Sequence, residues 1–383
     1  MALLKDIADV QTGPFGSQLH KEDYVMEGTP IVTVEHLGNR VFTEQNLPMV
    51  SDKDRDRLSK YVLKEGDTVF SRVGSVDRCS YVDALHSGWM FSGRCLRVRP
   101  NDLVNPEYLY YFFTTEDTKQ LIRNIAVGAT MPSINTKILS EVDVPLPDLL
   151  IQKRIASVLS AIDEKIDINS KINRNLQEQA EAIYKKLIVD EADDRWTEGS
   201  LSDIADIIMG QSPKGDTYNE NGEGTVFYQG RGEFGARFPT RRLFTSEPKR
   251  MAQTNDVLMS VRAPVGDFNV AYESCCIGRG LAAIRSKDNH QSYILYTTIS
   301  LQEALNMYNG EGTVFGSINK DSLNGILVNI PPLAVMDEFE KAVKPIDEII
   351  RNSYEEICRL TDLRDAILPR LMSGELDVSD IDI

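Results

Sequence analysis

Long apolar runs and a cysteine framework are both missing from this 383-residue chain. It contains no run of about 18 apolar residues, the length that a membrane-spanning helix needs. The opening stretch, MALLKDIADVQTG, carries acids where a secretory signal would carry basic residues and a long apolar segment. The five cysteines are odd in number, two of them are adjacent, and none forms a CxxC pair. These absences predict a cytoplasmic protein with reduced thiols and no contact with a membrane.

Catalytic motifs are also scarce. The sequence has no GxxxxGK[ST] phosphate loop and no HExxH, and its four histidines lack metal-ligand spacing. Asn105-Pro-Glu-Tyr108 is similar to the Asn-Pro-Pro-Tyr loop of amino-methyltransferases, but Glu107 replaces the second proline and no glycine-rich turn for a methyl donor precedes it. A helix start with Pro106 in its first turn explains this segment better.

A nuclease-like set of acids and a lysine can be assembled from Asp148, Asp163, Glu164 and Lys165. Asp163 adjoins an apolar helical position, and the corresponding acid in a second copy, Asp347, has no lysine after it. We therefore interpret Asp163 as part of a surface charge pair on a helix. The chain taken alone has no recognisable catalytic apparatus, and we expect no metal and no cofactor bound by it.

The formal charge of −16 argues against nonspecific binding of nucleic acid, but the acids are unevenly distributed. Residues 331–383 hold 13 acidic and 6 basic residues, a difference of −7. By contrast, residues 229–250 hold six basic residues against Glu233 and Glu247. A local basic groove is therefore compatible with the composition.

Two stretches show the 3.5-residue period of a coiled coil, and their registers match. The seam of the first, within residues 151–189, consists of Ile155, Leu159, Ile162, Ile166, Asn169, Asn173, Leu176, Ala180, Ile183 and Leu187. Positions numbered 184 higher form the second seam: Phe339, Val343, Ile346, Ile350, Ser353, Ile357, Leu360, Arg364, Ile367 and Leu371. Two helices of about 38 residues, each about 57 Å long, should pair with one another. Pro345 should kink the second helix or mark its beginning.

The remainder of the chain is duplicated as well. The opening LKDIADVQTG matches LSDIADIIMG from Leu201, GDTVFSRVGSV from Gly66 matches NDVLMSVRAPVG from Asn255, and GATMPSIN from Gly128 matches GTVFGSIN from Gly312. Short strands are predicted after the Gly-Asp and Asn-Asp turns, and helices near 105–115 and 291–305. The fold prediction is α+β: two small sheet-centred domains joined by two long helices in an antiparallel coiled coil, with an internal pseudo-two-fold repeat. The predicted boundaries are 1–147 and 197–330 for the domains, 148–196 for the central helix, and 331–383 for the C-terminal helix and tail.

Hydrogen-bond donors recur in the loops of both copies. Arginine can bind guanine with two hydrogen bonds, asparagine can bind adenine, and serine, threonine and backbone amides bind phosphate. The candidate DNA-binding residues are Ser71, Arg72, Gly74, Arg94, Thr130, Ser133, Asn135, Arg231, Arg241, Ser260, Arg262, Arg279, Ser317 and Asn319. Structural roles compete with this interpretation, because Asn135 and Asn319 also fit helix N-caps and the arginines also fit ion pairs.

In its doubled arrangement the whole chain resembles the specificity subunit of type I restriction-modification systems. The resemblance is carried by the LxDIADxxxG opening, the Ser-Arg and Ser-Ile-Asn blocks, the Pro-Leu-Pro junction followed by Gln152, and the closing Leu-Met-Ser-Gly-Glu-Leu from Leu371. The sequence differs from the family pattern at the second junction, where Met336 stands in place of the glutamine.

The resemblance implies two target-recognition domains, each reading half of a bipartite, asymmetric site on double-stranded DNA, with the coil as a ruler that spaces the half-sites about one DNA turn apart. It also implies that two modification subunits bring S-adenosylmethionine to methylate adenine, and that restriction subunits bring ATP and Mg²⁺. Three alternatives remain: a coiled-coil scaffold that does not touch DNA, a specificity subunit of a methyltransferase-only system, and an enzyme with specificity fused to methylation.

Overall fold

The computed structural model describes residues 1–14, 18–193, 196–310, 316–379 and 381. The first four residues of the GTVFGSIN block, 312–315, lie outside this part of the chain. Two compact units are present: unit 1 comprises Met1–Asn169 with Glu355–Ile383, and unit 2 comprises Ser170–Tyr354. Each long helix therefore contributes a segment to both units.

The N-terminal copy begins with short strands and helices and ends in the long helix α6. Its elements are β1 (Ala2–Leu3), α1 (Leu4–Ile7), β2 (Ala8–Thr12), β3 (Tyr24–Val25), β4 (Thr29–Val32), β5 (Met49–Val50), α2 (Asp52–Arg57), β6 (Thr68–Ser71), β7 (Cys79–Tyr81), β8 (Met90–Phe91), β9 (Cys95–Pro100), α3 (Pro106–Thr114), α4 (Glu116–Ile125), α5 (Thr136–Ser140), β10 (Asp143–Val144) and α6 (Leu149–Tyr184). A π-helical turn, Lys185–Asp190, continues α6.

The second copy repeats this order. Its elements are β11 (Thr197–Ser200), α7 (Leu201–Ile204), β12 (Ala205–Met209), β13 (Tyr218–Asn219), β14 (Thr225–Tyr228), β15 (Leu243–Thr245), β16 (Met251–Ala252), β17 (Val257–Ser260), β18 (Phe268–Val270), β19 (Cys275–Ile277), β20 (Leu281–Ser286), α8 (Gln291–Ser300), α9 (Gln302–Asn306), α10 (Lys320–Asn324), β21 (Leu327–Ile330) and α11 (Leu333–Met372). None of the helices among the described residues is long and apolar enough to cross a membrane.

Sheet order shows the duplication directly. Unit 1 has an antiparallel sheet β2-β9-β6-β7 and a second sheet β3-β5-β4-β8, while unit 2 has β12-β20-β17-β18 and β13-β15-β14-β19-β16. In both copies the opening strand also pairs with the last strand before the long helix, as β1 with β10 and β11 with β21. The prediction of a duplicated α+β fold is confirmed.

Local sequence explains the central strand of each first sheet. Gly66 and Asn255 both adopt positive φ, at 91° and 72°, two residues before β6 and β17 begin. Such angles favour glycine and asparagine, which is why Gly-Asp and Asn-Asp begin these strands. Every residue of β6 and β17 is buried. The predicted strands are therefore present and lie in the core.

The predicted seams are buried to different extents along the helices. In unit 1, Ile155, Leu159 and Leu371 are fully buried beneath the domain, while Ile162, Ile166, Ile357, Leu360 and Ile367 are partly exposed. In unit 2, Phe339, Val343 and Ile350 are fully buried, while Leu176, Ile183, Leu187 and Ile346 pack at the margin of the core. The seam therefore serves two purposes, since its ends also form part of the domain cores.

Polar contacts define the direction in which the helices pair. The Asp163 carboxylate lies 2.8 Å from Arg364, and the Asn169 amide donates to Glu356 over 2.9 Å, so the residue number rises on α6 as it falls on α11. This is the predicted antiparallel arrangement. Asn169 is buried, and a buried polar residue at a seam position fixes the register of a coil at a cost in stability.

The prediction for Pro345 is wrong in one respect. Helix α11 begins at Leu333 and continues through Pro345 without interruption, so the proline does not mark the start of the helix. Val343 and Ile346 on either side pack into the unit 2 core. Tertiary burial thus outweighs the loss of one backbone hydrogen bond at the proline.

Candidate nucleic-acid interface

An open cleft in unit 2 gathers residues from three loops that are far apart in the sequence. It has a volume of about 380 Å³, and its walls come from residues 229–233, from 260–263 after β17, and from Arg279 and Gly280 before β20. The Val261 amide donates to Gly280 over 2.9 Å, and the Gly278 amide donates to Tyr228 over 2.8 Å. These backbone hydrogen bonds hold the loops in contact.

Glycines permit this close approach. A Cβ atom on Gly278 or on Gly280 would lie 2.9 Å from backbone atoms of Gln229. Any larger residue would therefore push the 229–233 loop away from the turn. The Gly-Arg-Gly sequence at 278–280 positions Arg279 at the tip of this turn, where its side chain is exposed.

The charge in the cleft is positive. Arg262 and Arg279 are exposed and form no ion pair with any of the described residues, while Arg231 is bonded to Asp267. The acid on the cleft wall, Glu233, is bonded to Arg242 over 2.6 Å. Several other arginines of unit 2 are bonded to acids, as in the 2.7 Å pair between Arg285 and Asp256. Two arginines that have no acidic partner in the described part of the chain thus lie in one cleft of an acidic protein.

Ser260 also lines the cleft, but its hydroxyl is used within the loop. It donates to the Pro264 carbonyl over 2.7 Å and accepts from the Asp267 amide over 2.9 Å. The backbone of Ser317 forms an antiparallel bridge with Arg262, which places this exposed residue beside the cleft. Ser260 therefore shapes the loop, and Ser317 is free to contact a ligand.

Unit 1 brings its candidate residues together in the same way. The Arg72 amide donates to the Arg94 carbonyl over 2.8 Å, and the Ile134 amide donates to the Arg72 carbonyl over 3.0 Å. Gly74 has φ of 76° and its amide donates to Pro132 over 2.9 Å, so the loop after β6 is paired with the segment before α5.

Exposure distinguishes the side chains in this group. Arg94 is exposed and has no acidic partner among the residues described, while the Arg72 guanidinium donates to the Gly93 carbonyl over 3.2 Å. Ser71 is buried, and its hydroxyl donates to Val73 over 2.8 Å. Thr130 is exposed, and Ser133 donates to the Val127 carbonyl over 3.1 Å. Arg94 and Thr130 are therefore the side chains of this group that are most available to a ligand.

Three candidates have structural roles or lie apart. Asn135 and Asn319 cap α5 and α10, accepting hydrogen bonds from the amides of Ile138 and Ser322, each over 2.9 Å. The capping interpretation of these two residues is thus what the structure shows. Arg241 does not line the cleft; it donates to Glu273 over 2.5 Å and lies over the Tyr272 ring.

The surface interpretation of Asp163 is wrong. Its side chain is buried, the Tyr111 hydroxyl donates to it over 2.7 Å, and Arg364 lies 2.8 Å away. Burial and the nearby carboxylate raise the pKa of Tyr111. Lys165 instead pairs loosely with Glu356, at 3.8 Å.

Unit 2 repeats this contact. The Tyr296 hydroxyl donates to Asp347 over 3.0 Å, and Arg237 bonds to the same carboxylate over 2.5 Å. We refer to Tyr111 with Asp163 and to Tyr296 with Asp347 as the junction pairs, since each joins a domain helix to a long helix within one unit. The correspondence of Asp163 with Asp347 is visible in the sequence, but their tyrosine partners are not.

The remaining motifs are structural. Asn105 caps α3, accepting from the Tyr108 amide over 2.9 Å. Gln152 is buried, accepts from the Asn105 amide over 2.8 Å and donates to Pro147 over 2.8 Å, whereas Met336 packs in the apolar core of unit 2. Within the described ranges, no group of three or more His, Cys, Asp or Glu side chains could hold a metal ion.

Comparison with known proteins agrees with the duplicated fold. The sequence model of the type I restriction modification DNA specificity domain matches this chain twice, at residues 2–178 and 193–359. A Methanocaldococcus jannaschii protein, provisionally named the MjaX specificity subunit of a type I restriction enzyme, is 32% identical over 98% of this chain and 93% of its own length. The MjaIX specificity subunit of the same organism is 23% identical over 99% of this chain and 93% of its own length. The crystal structure of a type I restriction-modification S subunit from M. genitalium shares the fold, with a TM-score of 0.61 at 16% identity, covering 97% of this chain and 95% of that one.

Proposed function

This chain belongs to the family of type I restriction-modification DNA specificity proteins, and we propose that each of its units reads one half of a bipartite, asymmetric site on double-stranded DNA. The observation that carries the proposal is that exposed arginines without acidic partners among the described residues lie on the candidate loops of both copies: Arg94 in unit 1, and Arg262 and Arg279 in unit 2. Arg94 and Arg279 lie at corresponding positions just before β9 and β20, and Arg262 lies just after β17.

The chemistry of the cleft suits a DNA backbone and the edges of bases. Guanidinium groups neutralise phosphates and can bind guanine with two hydrogen bonds, while the exposed Ser317 hydroxyl can bind phosphate. Because the chain as a whole is acidic, affinity must come from these few local contacts. The loops of the two copies differ in sequence, which supports an asymmetric target.

Catalysis belongs to other subunits in this proposal. Two modification subunits dock on the duplicated chain and bring S-adenosylmethionine for adenine methylation, and restriction subunits bring ATP and Mg²⁺. The duplication supports two equivalent docking surfaces for two identical partners. The complex acts in the cytoplasm, where its DNA lies.

Methylome sequencing tests the function directly. The chain is expressed with its neighbouring modification subunit in a host that lacks DNA methylation, and modified adenines are mapped by single-molecule sequencing. We expect one bipartite motif with a spacer of fixed length. Absence of methylation despite a stable complex of the two proteins would overturn the proposal in favour of a coiled-coil scaffold.

A prediction concerns the bond between Arg231 and Asp267 at the edge of the cleft. Replacing Asp267 with asparagine removes a negative charge facing the DNA and releases Arg231 to contact a phosphate. Because Arg231 is exposed and Asp267 is only half-buried, we expect a modest gain in affinity, about two- to fivefold. The plot of log affinity against log salt concentration should become steeper by about one unit of slope, as expected for one additional phosphate contact.

Fluorescence anisotropy of the complex with its modification subunit, over a series of salt concentrations, measures both quantities. Asp216→Asn is the matched control, because Asp216 is an exposed acid of unit 2 that does not line the cleft. Equal changes in the two variants would mean that net charge, and not the release of Arg231, is responsible.

A further inference from the structure

A short hairpin tip in unit 1 combines rigid attachment with exposed apolar side chains. Val127 and Ser133 form an antiparallel pair, and each amide donates to the carbonyl of the other over 2.9 Å. Gly128 closes the turn with φ of 112°, and a Cβ atom there would lie 2.7 Å from the Met131 carbonyl oxygen. Residues 128–132 are therefore held in one conformation at their base.

The side chains at this tip are unusually apolar for an exposed turn. Met131 is 65% exposed and Val127 is 63% exposed, and Ala129 and Thr130 beside them are also exposed. A turn that needs only to connect two elements would favour polar residues. Exposed apolar groups held by a rigid frame are typical of contact sites.

The position of the tip indicates which partner it meets. Backbone hydrogen bonds join Pro132 to Gly74 and Ile134 to Arg72, and Arg72 in turn to Arg94. The apolar tip is thus tied to the same loops that carry the exposed Arg94. A surface that presents guanidinium and apolar groups side by side is complementary to nucleic acid, which offers phosphates and, between them, base edges.

We propose that Met131, supported by Val127, makes an apolar contact with a base of the first half-site. The contact is either with the 5-methyl group of a thymine or with a base step that the side chain partly unstacks. Methionine suits both, since its unbranched side chain adapts to irregular surfaces. The repeat places Phe315, outside the described residues, at the corresponding position of the second copy, so an apolar residue recurs there in sequence.

This inference rests on the proposed function, and its test separates the two. The complex of the chain with its modification subunit is titrated with duplexes carrying the methylated motif, using wild type, Met131→Ala, Met131→Gln and Arg94→Ala. Leu85→Ala is the matched control, because Leu85 is an apolar residue of unit 1 that is 82% exposed and is not part of the tip. We expect Met131→Ala and Met131→Gln to weaken binding by about fivefold or more, and Leu85→Ala to leave it unchanged.

Modified DNA distinguishes the two forms of contact. If the contact is with a methyl group, replacing one particular thymine of the first half-site with uracil should weaken DNA binding by wild type. The same replacement should not weaken binding by Met131→Ala. If the side chain unstacks a step, 2-aminopurine placed there should fluoresce with wild type and not with Met131→Ala. Substitutions in the second half-site should affect all proteins equally.

The remaining outcomes would overturn the inference. If Arg94→Ala weakens binding and both Met131 variants do not, the loops bind DNA and the tip does not contribute. If neither Arg94 nor Met131 matters, the proposed DNA surface of unit 1 is itself wrong. If the Met131 variants release the modification subunit at unchanged DNA affinity, the tip contacts protein instead.

Discussion

Alanine at Arg262 or at Arg279 should weaken binding to one half-site by about 5- to 150-fold and leave the other half-site intact. Each arginine contributes a contact with a base or phosphate that is worth about 1–3 kcal/mol, and a factor of ten corresponds to about 1.4 kcal/mol. Neither side chain has an ion-pair partner among the described residues, so its removal should leave the fold unchanged. The change should therefore appear in recognition and not in stability.

The measurement compares duplexes in which one half-site at a time is randomised. Wild type should distinguish the specific from the randomised sequence in both half-sites. Arg262→Ala or Arg279→Ala should distinguish them in only one half-site. Arg241→Ala is the matched control, since Arg241 is an exposed arginine of the same unit bonded to Glu273 outside the cleft. Loss of discrimination at both half-sites together, or at neither, would count against the proposal that each unit reads one half-site.

Periodicity made the long helices predictable. A 3.5-residue apolar spacing has one structural solution, a helix packed along another helix, and the register of the copies supplied the partner. Turns and helix caps were equally predictable. The turns at Gly66 and Asn255 and the caps at Asn135 and Asn319 depend on residues within a few positions of one another.

The cleft could not be assembled from the sequence, because its walls are joined by long-range backbone pairing. Arg231 and Arg279 are brought together through the hydrogen bonds of Gly278 and Gly280 to the 228–229 segment. Contacts between residues far apart in the sequence also explain why the surface interpretation of Asp163 is wrong. A position beside a seam is usually solvated, but here the partner is Tyr111 on α3, 52 residues earlier in the chain. At Pro345 a local rule predicted a kink or the start of the helix, and burial of the neighbouring residues explains why α11 begins earlier, at Leu333.

The junction pair in unit 1 should be among the most sensitive positions of the fold. In Asp163→Ala the Tyr111 hydroxyl, on a side chain that is only 2% exposed, loses its acceptor, and Arg364 loses one of its two acids and keeps Asp365. Removing one partner of a buried ionic hydrogen bond costs several kcal/mol, since the other partner stays desolvated. Arg364 is partly exposed and can recover water, so we expect a loss of about 3 kcal/mol in the free energy of unfolding of unit 1.

The two tryptophans allow each unit to be followed separately in urea. Trp89 lies in unit 1 and Trp196 in unit 2, so a Trp196→Phe background reports on unit 1 alone. Glu164→Ala is the matched control, because Glu164 is the exposed neighbour of Asp163 on α6 and should change stability by less than about 0.5 kcal/mol. Asp347→Ala in a Trp89→Phe background should destabilise unit 2 in the same way, leaving Arg237 and Tyr296 without their acid. Equal midpoints for Asp163→Ala and Glu164→Ala would mean that the junction pair does not hold the domain to its helix.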